Sequence, residues 1–236
     1  GTATAVHGDP DGDAWAPLEA DTTLYNHFWF WAAKNEEKRK SLAELMDIYY
    51  QSAGHGGVLL LNSSPNVDGL IPEGDMVLYE AFGKEIARRF SHPCGEATDV
   101  KGETVELALP QASPLNHAII MEDYRQGERI REYILEAFSG GKWNEVSRGT
   151  SIGRMKIDAF PTAQAEKVRL RVTKAAAEPL VRRFAVFNVD HVNADTAGKT
   201  HAAETGWKQC AAWDAKTMKK TAVMEIDLSP FITQPG

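Results

Sequence analysis

The chain has 236 residues, of which 43% are hydrophobic and 25% charged, and its formal net charge is −7. This composition is typical of a globular protein and excludes a disordered one. The scattered basic residues and the acidic balance disfavour nucleic-acid binding. No apolar run approaches the roughly 20 residues that a membrane-spanning helix needs.

The two cysteines, Cys94 and Cys210, lie far apart and fit no metal-ligand spacing. A single disulfide and two free thiols both remain open. The sequence begins at Gly1 with no signal peptide and ends within a strand-like segment, IDLSPFITQPG at 226–236. We therefore expect a fragment or a processed piece, with any targeting segment upstream.

The stretch DPDGDAWAPLEAD at 9–21 holds five acidic side chains. Asp9, Asp11 and Asp13 match the first three ligand positions of a calcium-binding EF-hand loop. The sixth and twelfth positions, which require glycine and glutamate, are Ala14 and Ala20. A solvated acidic turn is therefore the favoured interpretation of residues 9–13.

Glu19 differs from these aspartates because aromatic residues flank it on both sides. Trp15 precedes it, and five aromatic residues lie between Tyr25 and Trp31. Aromatic rings that remove water from a carboxyl group raise its pKa, which suits a general acid. The alternative is that these tryptophans simply belong to a hydrophobic core.

The aromatic block and the residues after it suggest an α/β unit. In the block, Trp29 and Trp31 alternate with Phe28 and Phe30, so one pair would line a pocket and the other fill the core. Helical spacing predicts a helix from an Asn35 cap to Gly54, a buried strand at 56–62 and a second helix at 73–90. Asn62, at the end of that strand, is expected to orient loop backbone rather than to touch substrate. About 90 residues correspond to the last quarter to half of a barrel.

After residue 92 the pattern becomes that of short strands separated by Gly, Pro and polar turns. Strands are predicted at 103–109, 115–122, 129–138, 142–147, 151–157, 167–173 and 181–189. The predicted architecture is thus α/β plus all-β: the C-terminal part of a (β/α)8-like barrel at 1–92 and an antiparallel β-sandwich at 93–190. Residues 191–236 are interpreted as a linker and the start of a further β module.

Several long segments together resemble glycoside hydrolase family 29, the α-L-fucosidases. They are W-x-P-x-E-x-D at 15–21, NHFWFW, NEEKRKSLAELMDIYYQSAGHGG, LLLNSSPNVDGLIPEGD, FGKEIARRF and, in the β region, NHAIIMEDYRQGERIREYILEAFSGGKWNEVSRGTSIG and EKVRLRVTK. The resemblance implies a retaining mechanism in which an aspartate attacks the anomeric carbon and a glutamate serves as acid and then base. It implies that this glutamate is Glu19, with Trp15, Asp21 and Trp31 in the sugar pocket. It implies no cofactor and no metal.

The sequence departs from the family pattern in two ways. Many members have an arginine–proline–glycine run where this chain reads TTLYNHFWFW, which indicates a different branch. The nucleophilic aspartate belongs to a barrel strand upstream of Gly1, so we expect the N-terminal half of the enzyme to be a separate or cleaved chain.

The expected substrate is a fucosylated glycan, with neither nucleic acid nor membrane as partner, in a secreted, periplasmic or other extracytoplasmic compartment. The alternative function is a non-catalytic carbohydrate-binding protein derived from the same scaffold. For the β region, a structural role is favoured over sugar binding through Trp143, which lies in the turn-like sequence GGKW.

Overall fold

The computed structural model describes residues 18–190. Their helices are α1, Leu42–Gln51, and α2, Glu73–Phe90, with short 3-10 helices at Ala33–Lys38 and Tyr124–Gln126. The strands are β1 (Glu19–Thr23), β2 (Val58–Asn62), β3 (Gly95–Lys101), β4 (Thr104–Glu122), β5 (Ile130–Ser139), β6 (Lys142–Gly149), β7 (Lys156–Ala175) and β8 (Leu180–Phe187). None of the helices in this range is long and apolar enough to cross a membrane.

Strands β1 and β2 form a parallel pair, with Glu19 opposite Val58 and Thr23 opposite Asn62. Successive side chains of a strand point to opposite faces. One face of the pair packs against the helices, and its core consists of Ala20, Leu24, Tyr25, Leu45, Ile48 and Leu61. This arrangement of strand, helix, strand and helix agrees with the α/β unit predicted for this part of the chain.

The first helix begins later than predicted. Ser41 is its N-cap and forms a capping box with Glu44, in which the Ser41 Oγ accepts from the Glu44 amide at 3.2 Å. A capping box satisfies two backbone donors that would otherwise lack partners, so it fixes the helix start at Leu42. The prediction of Asn35 as N-cap was wrong, since Asn35 lies in the preceding 3-10 helix. The second helix, predicted at 73–90, is confirmed.

The remaining strands form one antiparallel sheet in the order β3-β8-β4-β7-β5-β6. Two of them are much longer than the sequence predicted. The predicted strands 103–109 and 115–122 are both part of β4, while 151–157 and 167–173 both contribute to β7. The β4–β7 ladder continues across register shifts between Ala108 and Ser113 and between Leu115 and His117. β3 was not predicted.

Much of this sheet is buried on both faces. One core cluster draws residues from β4, β5, β7 and β8, including Leu107, Leu135, Leu170 and Phe184. On the opposite face, Ile119, Ile157, Ala185 and Phe187 pack with Phe90 of α2 and against Tyr49, Tyr50 and Ile86. The sheet is therefore joined to both helices through an apolar interface.

The change from helical to strand structure falls between Phe90, the end of α2, and Gly95, the start of β3. The division into a barrel part and a β-sandwich stays a prediction, because the hydrogen bonds of residues 95–187 make one continuous sheet. The predicted linker and β module at 191–236 lie outside the described residues.

Candidate functional site

The face of the β1–β2 pair that points away from the helices carries the candidate residues. We call it the open face; it consists of Glu19, Asp21, Thr23, Val58, Leu60 and Asn62, which follow from the register and the alternation of the strands. Val58 and Leu60 are 38% and 37% exposed, whereas Leu61 on the helix side is buried. In a barrel, the face opposite the helices points inward.

Glu19 is the first residue of β1 and its side chain is exposed. The aromatic block begins after Thr23, the last residue of β1. Four residue steps of about 3.3 Å each place Thr23 about 13 Å from Glu19 along the strand. The prediction that aromatic rings of this block remove water from Glu19 is therefore wrong for the chain as the structure describes it. The side chain of Glu19 points toward the open face.

The other predicted pocket residues have different positions. Asp21 lies on the open face opposite Leu60, two residues beyond Glu19, and is half-buried. Trp31 is partly buried against the core behind β1, and its indole Nε1–H donates to Glu36 Oε1 at 2.9 Å. Trp15 lies outside the described residues, as do Asp9, Asp11 and Asp13, so the solvated acidic turn stays a prediction and the calcium alternative is not tested.

The carboxyl ends of β1 and β2 meet at an exposed aromatic segment. Phe28 and Trp29 are each 39% exposed, and Phe30 is 84% exposed. The Trp29 carbonyl accepts from Asn62 Nδ2 at 2.8 Å and from Ser64 Oγ at 2.6 Å. Asn62 thus orients loop backbone, as expected. Trp31 packs into the core while Trp29 faces outward, so the predicted alternation does not place the two tryptophans on the same side.

A buried ionic cluster joins Tyr25, Arg39 and Asp75, and the sequence did not predict it. Tyr25, immediately after β1, donates its hydroxyl proton to Asp75 Oδ2 at 2.5 Å, and Arg39 Nε donates to Asp75 Oδ1 at 2.6 Å. Asp75 is fully buried in the first turn of α2. Burial, reinforced by Asp75, raises the pKa of Tyr25 well above its ordinary value of 10.0. The signal available in the sequence was Asp75, an acidic residue in the first turn of the helix that begins after Pro72.

The comparisons with known proteins concern this region together with the large sheet. No family model matches the chain. Over 76% of its length it is 28% identical to a rice protein provisionally named α-L-fucosidase 1, and over 76% it is 26% identical to α-L-fucosidase 1 of Arabidopsis thaliana.

Among solved structures, one from Bacteroides thetaiotaomicron VPI-5482 carries the provisional name α-L-fucosidase. It is 37% identical, with a TM-score of 0.74, over 78% of this chain and 43% of its own. A glycoside hydrolase 29 family member from an unknown rumen bacterium is 31% identical, with a TM-score of 0.71, over 80% of this chain and 36% of its own.

This chain is homologous to the α-L-fucosidases of glycoside hydrolase family 29. It spans about two fifths of the length of the curated fucosidases it matches, 41% and 42%. Within residues 18–190, no group of three His, Cys, Asp or Glu residues could hold a metal ion.

The large sheet of this fucosidase homologue places Trp143 in contact with other side chains. Trp143 pairs with Phe138 across the β5–β6 hairpin, edge to face with ring centroids 5.2 Å apart. The guanidinium of Arg169 lies 4.2 Å from the Trp143 ring centroid. Because Arg169 already covers one ring face, these contacts favour the structural interpretation of this tryptophan over sugar stacking.

Proposed function

We propose that this chain supplies the C-terminal part of a retaining α-L-fucosidase, which hydrolyses terminal α-linked L-fucose from glycans. The observation that carries the proposal is the homology to α-L-fucosidases, which extends over three quarters of the chain. The open face supports it, because a pair of parallel strands with helices on one side is the arrangement expected of a segment of the barrel on which such an enzyme is built.

The remainder of the barrel is proposed to come from an N-terminal half, as a separate or cleaved chain. Within residues 18–190, β1 pairs only with β2, so each of these strands has a free edge. Val58 and Leu60 on the open face are apolar and partly exposed. Free parallel edges and an uncovered apolar face both favour further strands, which would also bring the nucleophilic aspartate.

Glu19 is proposed as the general acid and base, with Trp15 and Asp21 contributing to the sugar site. Retention requires the glutamate and the nucleophile about 5–5.5 Å apart. The orientation of Glu19 and Asp21 toward the open face supports these roles. The position of Glu19 at the amino end of β1 argues against its role, because barrels build their sites at the carboxyl ends. Asp21 lies closer to that end.

The test measures hydrolysis of aryl α-L-fucosides by the purified protein, together with intact mass and a denaturing gel. The proposal expects activity only when a second polypeptide accompanies the 26.0 kDa chain, and proton NMR should show the α-anomer of fucose as the first product. Hydrolysis by a lone 26.0 kDa species would refute the companion chain. Release of the β-anomer would refute retention.

The second candidate is a non-catalytic carbohydrate-binding protein on the same scaffold. Three consecutive exposed aromatic side chains at 28–30 favour it, since aromatic faces stack on the apolar faces of sugars. Saccharide binding without any turnover by the complete assembly would support this candidate against the enzyme.

A further inference from the structure

The aromatic segment Phe28, Trp29 and Phe30 is held in place from the neighbouring strand. Two side chains at and just after the end of β2, those of Asn62 and Ser64, donate to one acceptor, the Trp29 carbonyl. On the β1 side, Thr23 Oγ1 donates to the carbonyl of Asn26 at 2.7 Å. The segment is therefore tied to the end of β2 by hydrogen bonds, and the turn that leads into it is tied to β1.

Exposure of this segment is unusual for its residue types. Phe30 is 84% exposed and Trp29 39% exposed, although aromatic side chains gain free energy when they leave water. Lys38 Nζ lies 4.8 Å from the Phe28 ring centroid and covers a face of that ring. Within residues 18–190, no cation lies over the ring of Trp29 or of Phe30 as Lys38 does over Phe28.

We propose that Asn62 and Ser64 are positioning residues, which fix the Trp29 carbonyl so that Trp29 and Phe30 form one wall for the saccharide at the carboxyl end of β1. The inference rests on the proposed function and deepens it. Glu19 is the first residue of β1, whereas the wall lies beyond its last residue, so we assign the wall to the leaving-group sugar rather than to the fucose that reacts. Its partner class is the apolar C–H face of a pyranose.

The experiment compares Asn62→Ala, Ser64→Ala and the double variant with Ser64→Thr, which keeps the hydroxyl donor. The matched controls are Asn144→Ala and Ser113→Ala, because both residues also donate to nearby backbone carbonyls but lie in the large sheet. Hydrogen–deuterium exchange of the peptide 25–32 reports the anchoring directly, without any need for activity.

In the double variant the amide hydrogens of this peptide should exchange faster than in the wild type. Ser64→Thr, which keeps the hydroxyl donor, should exchange at the wild-type rate, unlike Ser64→Ala. In the complete assembly, the double variant and Phe30→Ala should raise KM for a fucosyl disaccharide about three- to tenfold, the size of a stacking contact. KM for an aryl fucoside and kcat for both substrates should change little, as expected for uniform binding by a leaving-group contact. A merely structural role would affect both substrates alike.

Unchanged exchange in the double variant overturns the anchoring. Faster exchange with equal effects on both substrates overturns the leaving-group wall. If the wild-type assembly hydrolyses no fucoside, the proposed function fails. The wall is then judged by titrating the wild type and Phe30→Ala with a thio-linked fucosyl disaccharide, and equal affinities would overturn it.

Discussion

The hydroxyl of Tyr50 on α1 lies 2.9 Å from Nε2 of His117 on β4, across the interface between the helices and the large sheet. On the other side of the ring, Nδ1 is 2.8 Å from Asn116 Oδ1, which also accepts from the Val189 amide. Arg89 donates to the Tyr50 oxygen at 3.2 Å. These partners fit a neutral imidazole that carries its proton on Nδ1 and accepts from Tyr50 at Nε2.

This arrangement predicts a pH dependence of stability. Burial, with Arg89 as the second cause, lowers the pKa of His117 from 6.5 to about 3. Above pH 6.5 the residue is neutral in both states and adds no pH dependence. Between pH 6.5 and 3 the unfolded chain binds a proton that the native state does not, so stability falls as pH falls, by about 1.4 kcal/mol per unit.

Urea denaturation of the wild type and His117→Asn between pH 4.5 and 7 measures this dependence. The variant should be less stable at pH 7, and its free energy of unfolding should change less steeply with pH, by about 1.4 kcal/mol per unit for the one proton that is no longer bound. His92→Asn, at an exposed histidine, is the control and should retain the wild-type slope. Equal slopes for wild type and His117→Asn would show that His117 does not stay neutral in the folded protein.

The Asp75 cluster predicts a large loss of stability on truncation. Asp75→Ala leaves the buried hydroxyl of Tyr25 without its acceptor and Arg39 with only its longer ion pair to Glu36, and should cost about 3–5 kcal/mol. In a Tyr25→Phe background the cost should be smaller, because one of the two groups that lose Asp75 as a partner is absent. Glu80→Ala breaks an exposed pair with Lys84 and should leave the urea midpoint unchanged. Additive effects of the Asp75 and Tyr25 substitutions would contradict the coupling.

Two glycine-to-alanine substitutions should have opposite signs. A Cβ at Gly149 would overlap the hydroxyl oxygen of the buried Tyr133, which donates to Asp158. Gly149→Ala should therefore destabilise the protein by about 1–3 kcal/mol. At Gly83, on the exposed side of α2, a Cβ meets nothing within 4 Å. Gly83→Ala should stabilise by about 1 kcal/mol, because alanine has the higher helix propensity. Thermal or urea unfolding distinguishes the two, and the same sign for both would contradict the packing described here.

The role proposed for Glu19 predicts a defined kinetic change. Glu19→Ala in the complete assembly should lower turnover of fucosides with poor leaving groups by about 10²–10⁴-fold, the contribution of general acid catalysis. Azide should partly restore turnover of substrates with good leaving groups, since it replaces the water that needs a base. Glu103→Ala, at an exposed glutamate between β3 and β4, is the control. Unimpaired turnover in Glu19→Ala would remove Glu19 from the mechanism.

Local sequence signals determined part of this structure. The amphipathic spacing at 73–90 predicts α2, and in KVRLRV the alternation predicts that Val168 and Leu170 are buried on one face while Arg169 lies on the other, where the structure pairs it with Glu136 at 2.7 Å. Both succeed because each side chain's environment repeats with the period of its own element. The cap at Ser41 was also readable, since serine with glutamate three residues later is a local pattern.

Tertiary structure alone decided the rest. The predicted strands 103–109 and 115–122 left a break around Pro110 and Pro114, yet β4 continues through both. Pro110 lies in the register shift between Ala108 and Ser113, where no ladder partner requires its missing N–H, and Pro114 lies opposite Gln164. Glu19 has aromatic neighbours in sequence but is exposed in space, because the strand carries the chain away from them before the aromatic segment begins. Solvation of a carboxyl group depends on what surrounds it in three dimensions, and sequence proximity does not determine that.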